Sequence, residues 1–154
     1  MRLMRWRRTE PSDPPGMDWE WAKLRRTLFA VAVIAMPGLA QADPCTAPLP
    51  SAGTVFSGPV RYVGDGDSLC VGPSADPATW IEVRLANFYA PELSAPGGGA
   101  AKAMLETIAR GKTVNCRAGK RSYDRVVAQC RLDGADLGDL LRRRGVTEGG
   151  NGWR

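Results

Sequence analysis

Trp80-Ile81-Glu82-Val83-Arg84-Leu85-Ala86-Asn87-Phe88 is the stretch whose alternation decides the fold. In an extended chain Ile81, Val83 and Leu85 point one way, and Trp80, Glu82 and Arg84 the other. A period of two with one apolar face predicts a half-buried strand and puts Arg84 on its polar face. Working upstream, Ser68 to Val71 follows an Asp-Gly turn and predicts the hairpin partner of a preceding strand. That preceding strand takes in Thr54-Val55-Phe56 and Pro59 to Val63, bent at Gly58, and 72–77 is a turn cluster.

Downstream, 91–99 is a Pro/Gly loop, and a helix is predicted over 100–110. Ala101, Met104, Leu105 and Ile108 form its apolar stripe, Lys102, Glu106 and Arg110 sit opposite, and Gly111 is suited to its C-terminal end. Two more strands are predicted at 113–116 and 125–132, then an Asp133-Gly134 turn. A last helix carries Leu137, Leu140 and Leu141 and ends at Gly145. Arg142-Arg143-Arg144 fall in its final turn, where the helix dipole favours cations. Residues 148–154 read as a Gly-rich free tail. The order is three strands, a helix, two strands and a helix. The expected class is mainly β with α (α+β), as a five-stranded OB-like β-barrel with two to three helices. The pattern alone leaves other α+β folds open.

The N-terminus reads as a leader. Arg25-Arg26 precede an apolar run from Leu28 to Met36, and Ala40-Gln41-Ala42 offers a small-x-small cleavage site. The run is shorter than the about 20 residues a membrane span requires. Cleavage is expected after Ala42, with Met17 as the true start, leaving 43–53 as a tether and 54–147 as the folded domain. Of the 21 Lys and Arg and 16 Asp and Glu, the leader holds seven and four, so the remaining chain carries a net charge of only +2. Bulk charge is therefore no argument for nucleic acid, and local placement must carry one.

Histidine is absent, which excludes Ser-His-Asp, Cys-His and histidine-metal chemistry. The four cysteines, Cys45, Cys70, Cys116 and Cys130, contain no Cys-x-x-Cys, so disulfides in an oxidising compartment are expected rather than zinc. Of three possible pairings, Cys116–Cys130 is favoured, since the two can meet across neighbouring strands if Val114 and Cys116 share the buried face of Cys130, and Cys45–Cys70 follows by elimination.

Three short islands carry chemistry. Asp65-Gly66-Asp67-Ser68 places two carboxylates in a turn, as oxygen-binding cations require. Glu92, after Ala90-Pro91, can accept a proton from an attacking water. Arg84 and Arg125, the second within Ser122-Tyr123-Asp124-Arg125, can grip a phosphate. Singly, each has an ordinary reading as turn, loop or surface charge.

Together with Gly111-Lys112-x-Val114, Tyr123-x-Arg125-Val126-Val127-Ala128 and Asp136-Leu137-Gly138, these islands resemble the staphylococcal-nuclease-like (thermonuclease) family in order and spacing, over roughly 57–146. The resemblance implies an OB-like barrel that hydrolyses DNA or RNA phosphodiesters with Ca²⁺ or another divalent cation. It implies Asp67 as metal ligand, Asp65 as its acidic neighbour, Arg84 and Arg125 on the scissile phosphate, and Glu92 on the water.

Three positions depart from that pattern. Ser68 replaces a threonine, Asp124 replaces a glycine, and Tyr89 stands where the family has a metal-binding aspartate. A phenol, with a pKa of about 10, is neutral at pH 7 and removes one charged ligand. In its place Tyr89 can contact a substrate base. The expected protein is an exported, periplasmic or secreted monomeric phosphodiesterase acting on DNA or RNA, free of the membrane once the leader is cut. The alternative is a non-catalytic OB-fold protein of the cell envelope that binds nucleic acid or another anionic ligand.

Overall fold

The computed structural model describes residues 43–150. The leader, its start and its cleavage point lie outside the described residues, as do 151–154 of the expected tail. In chain order the elements are β1 (Val55–Val63), β2 (Ser68–Val71), β3 (Ile81–Leu85), α1 (Gly98–Ala109), β4 (Thr113–Ser122), β5 (Arg125–Leu132), a two-residue β6 (Ala135–Asp136) and α2 (Leu137–Arg143). A 3₁₀ turn, Pro77–Thr79, precedes β3. The architecture is α+β, a mainly antiparallel sheet with two helices among the described residues.

The strands are hydrogen-bonded in the order β3-β2-β1-β4-β5-β6, and β3 also pairs with β5, in parallel. β1 serves two neighbours. Its first half runs against β4 and its second against β2. Gly58 lies near the changeover, where a Cβ would stand 3.3 Å from the Gly72 carbonyl carbon. The close crossing of two backbones favours glycine there, while the irregularity in the ladder falls later, between Val60 and Tyr62.

Some boundaries differ from the sequence reading. β3 ends at Leu85, with Ala86 still donating to the Ala128 carbonyl at 3.0 Å before the chain leaves the sheet. β4 runs on to Ser122, well past 113–116. Its second half is hidden in the sequence because a register shift between Ala118 and Arg121 breaks the alternation of Arg117, Lys120 and Arg121. The β4–β5 turn puts Tyr123 at φ 59°, a left-handed conformation that costs a non-glycine residue.

Inside lie Leu69 opposite Val83, then Leu85, Phe88, Val114, Val126 and Ala128, closed by Leu105 of α1 and by Leu137 and Leu141 of α2. The cysteines form Cys116–Cys130, with Cα atoms 4.1 Å apart across a directly paired position of β4 and β5, and Cys45–Cys70, 5.7 Å apart. The second bond draws 43–47 along the outside of β2 and β3. Thr46 N–H donates to the Pro77 carbonyl and Ala47 N–H to the Trp80 carbonyl, so the expected tether is pinned to the 3₁₀ turn that leads into β3.

The expected free tail is likewise docked at its start. Gly149 N–H donates to the Tyr89 carbonyl at 3.0 Å. Glu148 accepts from Tyr89 N–H at 3.0 Å and from the Arg142 guanidinium at 3.0 and 3.1 Å. A glycine-rich composition concealed this, because the attachment uses backbone groups and one carboxylate.

Candidate functional site

The register of β2, β3 and β5 assembles the site. Ser68 pairs with Arg84, and Arg84 pairs with Val127, two residues beyond Arg125 on the same face. From the ~4.8 Å strand spacing and a two-residue offset, the Cα atoms of Arg84 and Arg125 are about 8 Å apart. Both side chains leave the sheet on the face away from the core, because Val83, Leu85, Val126 and Ala128 fill the core face.

Asp67 is the hub. It is only 2% exposed. Its carboxylate accepts both arms of the Arg84 guanidinium at 3.1 Å and the Ala90 N–H at 3.0 Å. The Asp67 carbonyl accepts from Leu85 N–H at 2.8 Å, which fixes the turn against β3. Asp65 caps the same turn. Its Oδ1 accepts Asp67 N–H at 2.8 Å, and its own N–H donates to Ser68 Oγ at 3.1 Å. The glycine between them is obligatory, because a Cβ on Gly66 would stand 2.5 Å from the Cβ atoms of Ala90 and Ala101. Burial, and then the neighbouring Asp65 charge, push Asp67 up to about 7 against the pull of Arg84 and Ala90 N–H.

Tyr89 sits beside this pair, with the Arg84 guanidinium 5.6 Å from its ring centre. Its backbone is clamped by Glu148, which joins Tyr89 to Arg142 of α2. Arg142 also donates to the Asn87 carbonyl and lies 5.5 Å from the Phe88 ring centre. Arg142 is therefore a clamp, in addition to any role in the helix dipole. Replacing Glu148 with alanine should cost about 2 kcal/mol, because it leaves the Tyr89 N–H without its acceptor and takes from Arg142 one of its two carboxylate partners, the other being Asp139. A thermal melt unchanged within error would show that the clamp contributes nothing.

Arg125 has a different environment. It lies 3.9 Å from Glu82, which is only 7% exposed. The sequence placed Glu82 on a polar, open face. The face is as predicted, but the pinned segment covers it. Asp43 hydrogen-bonds to Glu82, and its carboxylate fills the space over Gly64, where a Cβ would meet its oxygens at 2.5 and 2.7 Å. Burial, then Asp124 and Asp43, push Glu82 up to about 7, and burial followed by Asp65 raises Asp43 as well. Two adjacent carboxyls with raised values titrate as a pair rather than independently.

Glu82, Asp43 and Glu148 were not among the predicted site residues. Glu82 was findable, standing two residues before Arg84 on the same strand face. Asp43 and Glu148 come from segments with no periodic signal. Glu92 is exposed on the loop, its backbone fixed by Ala95 N–H at 2.8 Å and by the close approach of Gly98.

A scan against protein-family models finds no match, and a search of curated proteins finds none either. The residues themselves must decide what the site can hold. The Asp67 oxygens are engaged by three N–H donors, one Asp65 oxygen holds a backbone N–H, and Tyr89 supplies no charge. Among the described residues no group of three or more His, Cys, Asp or Glu is disposed to hold an ion. A hard cation takes six to eight oxygens, so this donor set does not fit a resident Ca²⁺. The arrangement suits an anion better, with two arginines held on one face by buried carboxylates that can be neutralised.

Proposed function

We propose that residues 54–147 form a five-stranded OB-like barrel of thermonuclease type that binds the phosphodiester backbone of DNA or RNA through Arg84 and Arg125. The observation that carries this reading is their placement, about 8 Å apart on the outer face of adjacent parallel strands. The return of β3 to pair with β5 supports the barrel. The two disulfides are compatible with export to an oxidising compartment. Among the described residues no helix is long and apolar enough to cross a membrane.

Each arginine has a carboxylate as its standing partner, Asp67 or Glu82. A phosphate takes the carboxylate's place as the carboxyl takes up a proton, so each guanidinium exchanges one anionic partner for another. Hydrolysis is the second reading, favoured by Glu92, an exposed carboxylate on the loop that follows Tyr89. No step through a metal is assigned, because the donor set does not fit one.

Anisotropy of a labelled single-stranded oligonucleotide tests the binding reading. Arg84→Gln with Arg125→Gln should weaken affinity at least ~10-fold, since each removes a charge-assisted contact; unchanged affinity sinks it. Incubation with single-stranded DNA, RNA and plasmid in Ca²⁺, Mg²⁺, Mn²⁺ or EDTA tests cleavage. Any metal-dependent activity should fall about 100-fold or more in Glu92→Gln. Tyr89→Asp restores a carboxylate and should create a Ca²⁺-dependent rise in melting temperature that the parent lacks.

A further inference from the structure

A second basic surface lies away from the Arg84 site, on the outer face of β1, β4 and β5. The registers arrange it in two cross-strand rows, Val55, Arg117 and Gln129 in one and Ser57, Asn115 and Arg131 in the next. All six residues are exposed. Their inward neighbours, Cys116, Ala118, Ala128 and Cys130, are buried, so the rows stand on a wall stapled by the Cys116–Cys130 bond. A shallow depression of about 220 Å³ runs between Val55, Asn115, Arg117, Gln129 and Arg131.

Charge on this face is one-sided. Arg117 donates to the Gly53 carbonyl, at 3.4 Å, and among the described residues neither Arg117 nor Arg131 forms an ion pair. Asp136, in register with Arg131, has Oδ1 turned to Asn87 and to Gly138 N–H instead. Arg117 and Arg131 are diagonal neighbours, about 7–8 Å apart. That is close enough for successive phosphates of an extended strand to bridge them. Asn115 and Gln129 complete the square with donors and acceptors that match base edges, and the guanidinium planes and Val55 offer surfaces on which a base can lie.

We propose that this face is a second contact surface for single-stranded nucleic acid, centred on Arg117 and Arg131. The proposal rests on the phosphodiester reading above for the class of ligand, and on an independent set of residues for the site. Arg131 and Gln129 share their face of β5 with Arg125, and Arg125 to Arg131 spans about 20 Å along the strand. A strand held at Arg125 therefore reaches the second surface only when it is several nucleotides long, so the contribution is length-dependent.

The test is anisotropy of the full oxidised chain with fluorescein-labelled dT15 and dT3 in EDTA, over a salt series. Arg117→Glu with Arg131→Glu should weaken dT15 at least ~10-fold and leave dT3 within about twofold. Removing two phosphate contacts should also flatten the salt slope by about 1.4. Both side chains are exposed, so the melting temperature should be unchanged. Asn115→Ala with Gln129→Ala, which keeps the charge, should weaken dT15 with the salt slope intact. Equal dT15 affinity in the arginine variant overturns the proposal, as does an equal loss for dT3. Competition by inorganic polyphosphate as strong as by dT15, at equal phosphate, overturns the nucleic-acid assignment. If Arg84→Gln with Arg125→Gln leaves dT15 binding intact while the Arg117 and Arg131 changes remove it, the Arg84 site fails and the second surface stands.

Discussion

Asp67→Ala should lower the unfolding free energy by about 3–5 kcal/mol, the cost of removing one partner from a buried ion pair. The reason lies in what Asp67 leaves behind. Both arms of Arg84 and the Ala90 N–H converge on its carboxylate, and the side chain is 3% exposed, so water cannot take its place without opening the turn. For a domain of this size the loss corresponds to a fall in melting temperature of roughly 15 °C or more. Asp67→Asn separates pairing from charge. It keeps an acceptor for Arg84 or Ala90 and offers an N–H to Asp65, and it removes the desolvation of a buried carboxylate. At pH 8 it should cost much less than the alanine. If both variants melt within about 3 °C of the parent, Asp67 is not the hub described here.

The legible part of this molecule was the part with a period. Ile81-Glu82-Val83-Arg84-Leu85 announced β3, and Ala101, Met104, Leu105 and Ile108 announced α1, because burial of one face imposes spacing on the sequence. The far half of β4 escaped because its register shift destroys that spacing. Two segments that read as unstructured, 43–53 and 148–150, carry Asp43 and Glu148 into or beside the site. They are held by a disulfide, backbone donors and single carboxylates, none of which leaves a repeating signature. The same limit applies to the site chemistry. The sequence shows which residue types are present, and the carboxylates near Arg84 suggested a cation. Only the geometry shows that Asp67 is already spent on N–H donors, and that Glu82, which the alternation puts on the open face of a strand, lies under Asp43 beside Arg125. Tyr89, a neutral phenol beside Arg84, was legible in the sequence as a residue that brings no charge to a cation site.

The buried carboxylates make both stability and ligand affinity depend on pH, with a sign that can be worked out. Asp67 and Glu82 are each pushed up to about 7, by burial first, while in the unfolded chain such groups titrate at about 4. A raised folded value means that the native state holds protons the unfolded state has released. Their stabilising contribution is complete below about pH 4 and is lost as pH rises through about 7. Each is coupled to neighbouring carboxylates, Asp67 to Asp65 and Glu82 to Asp43 and Asp124, so the combined loss is on the order of 2–4 kcal/mol rather than the full sum. Urea midpoints should therefore fall between pH 5 and pH 8.5, and Asp67→Asn or Glu82→Gln should flatten the curve. The same protons control the arginines. As pH falls through 7, Glu82 loses its charge beside Arg125 and Asp67 loosens its hold on Arg84, so both guanidiniums become available to an external anion. Oligonucleotide affinity at fixed ionic strength should rise from pH 8.5 to pH 6, and Glu82→Gln should remove most of the part that passes through Arg125. A stability that climbs with pH, or an affinity indifferent to it, would show that these carboxylates are ionised throughout and that the arginines are not released by protons.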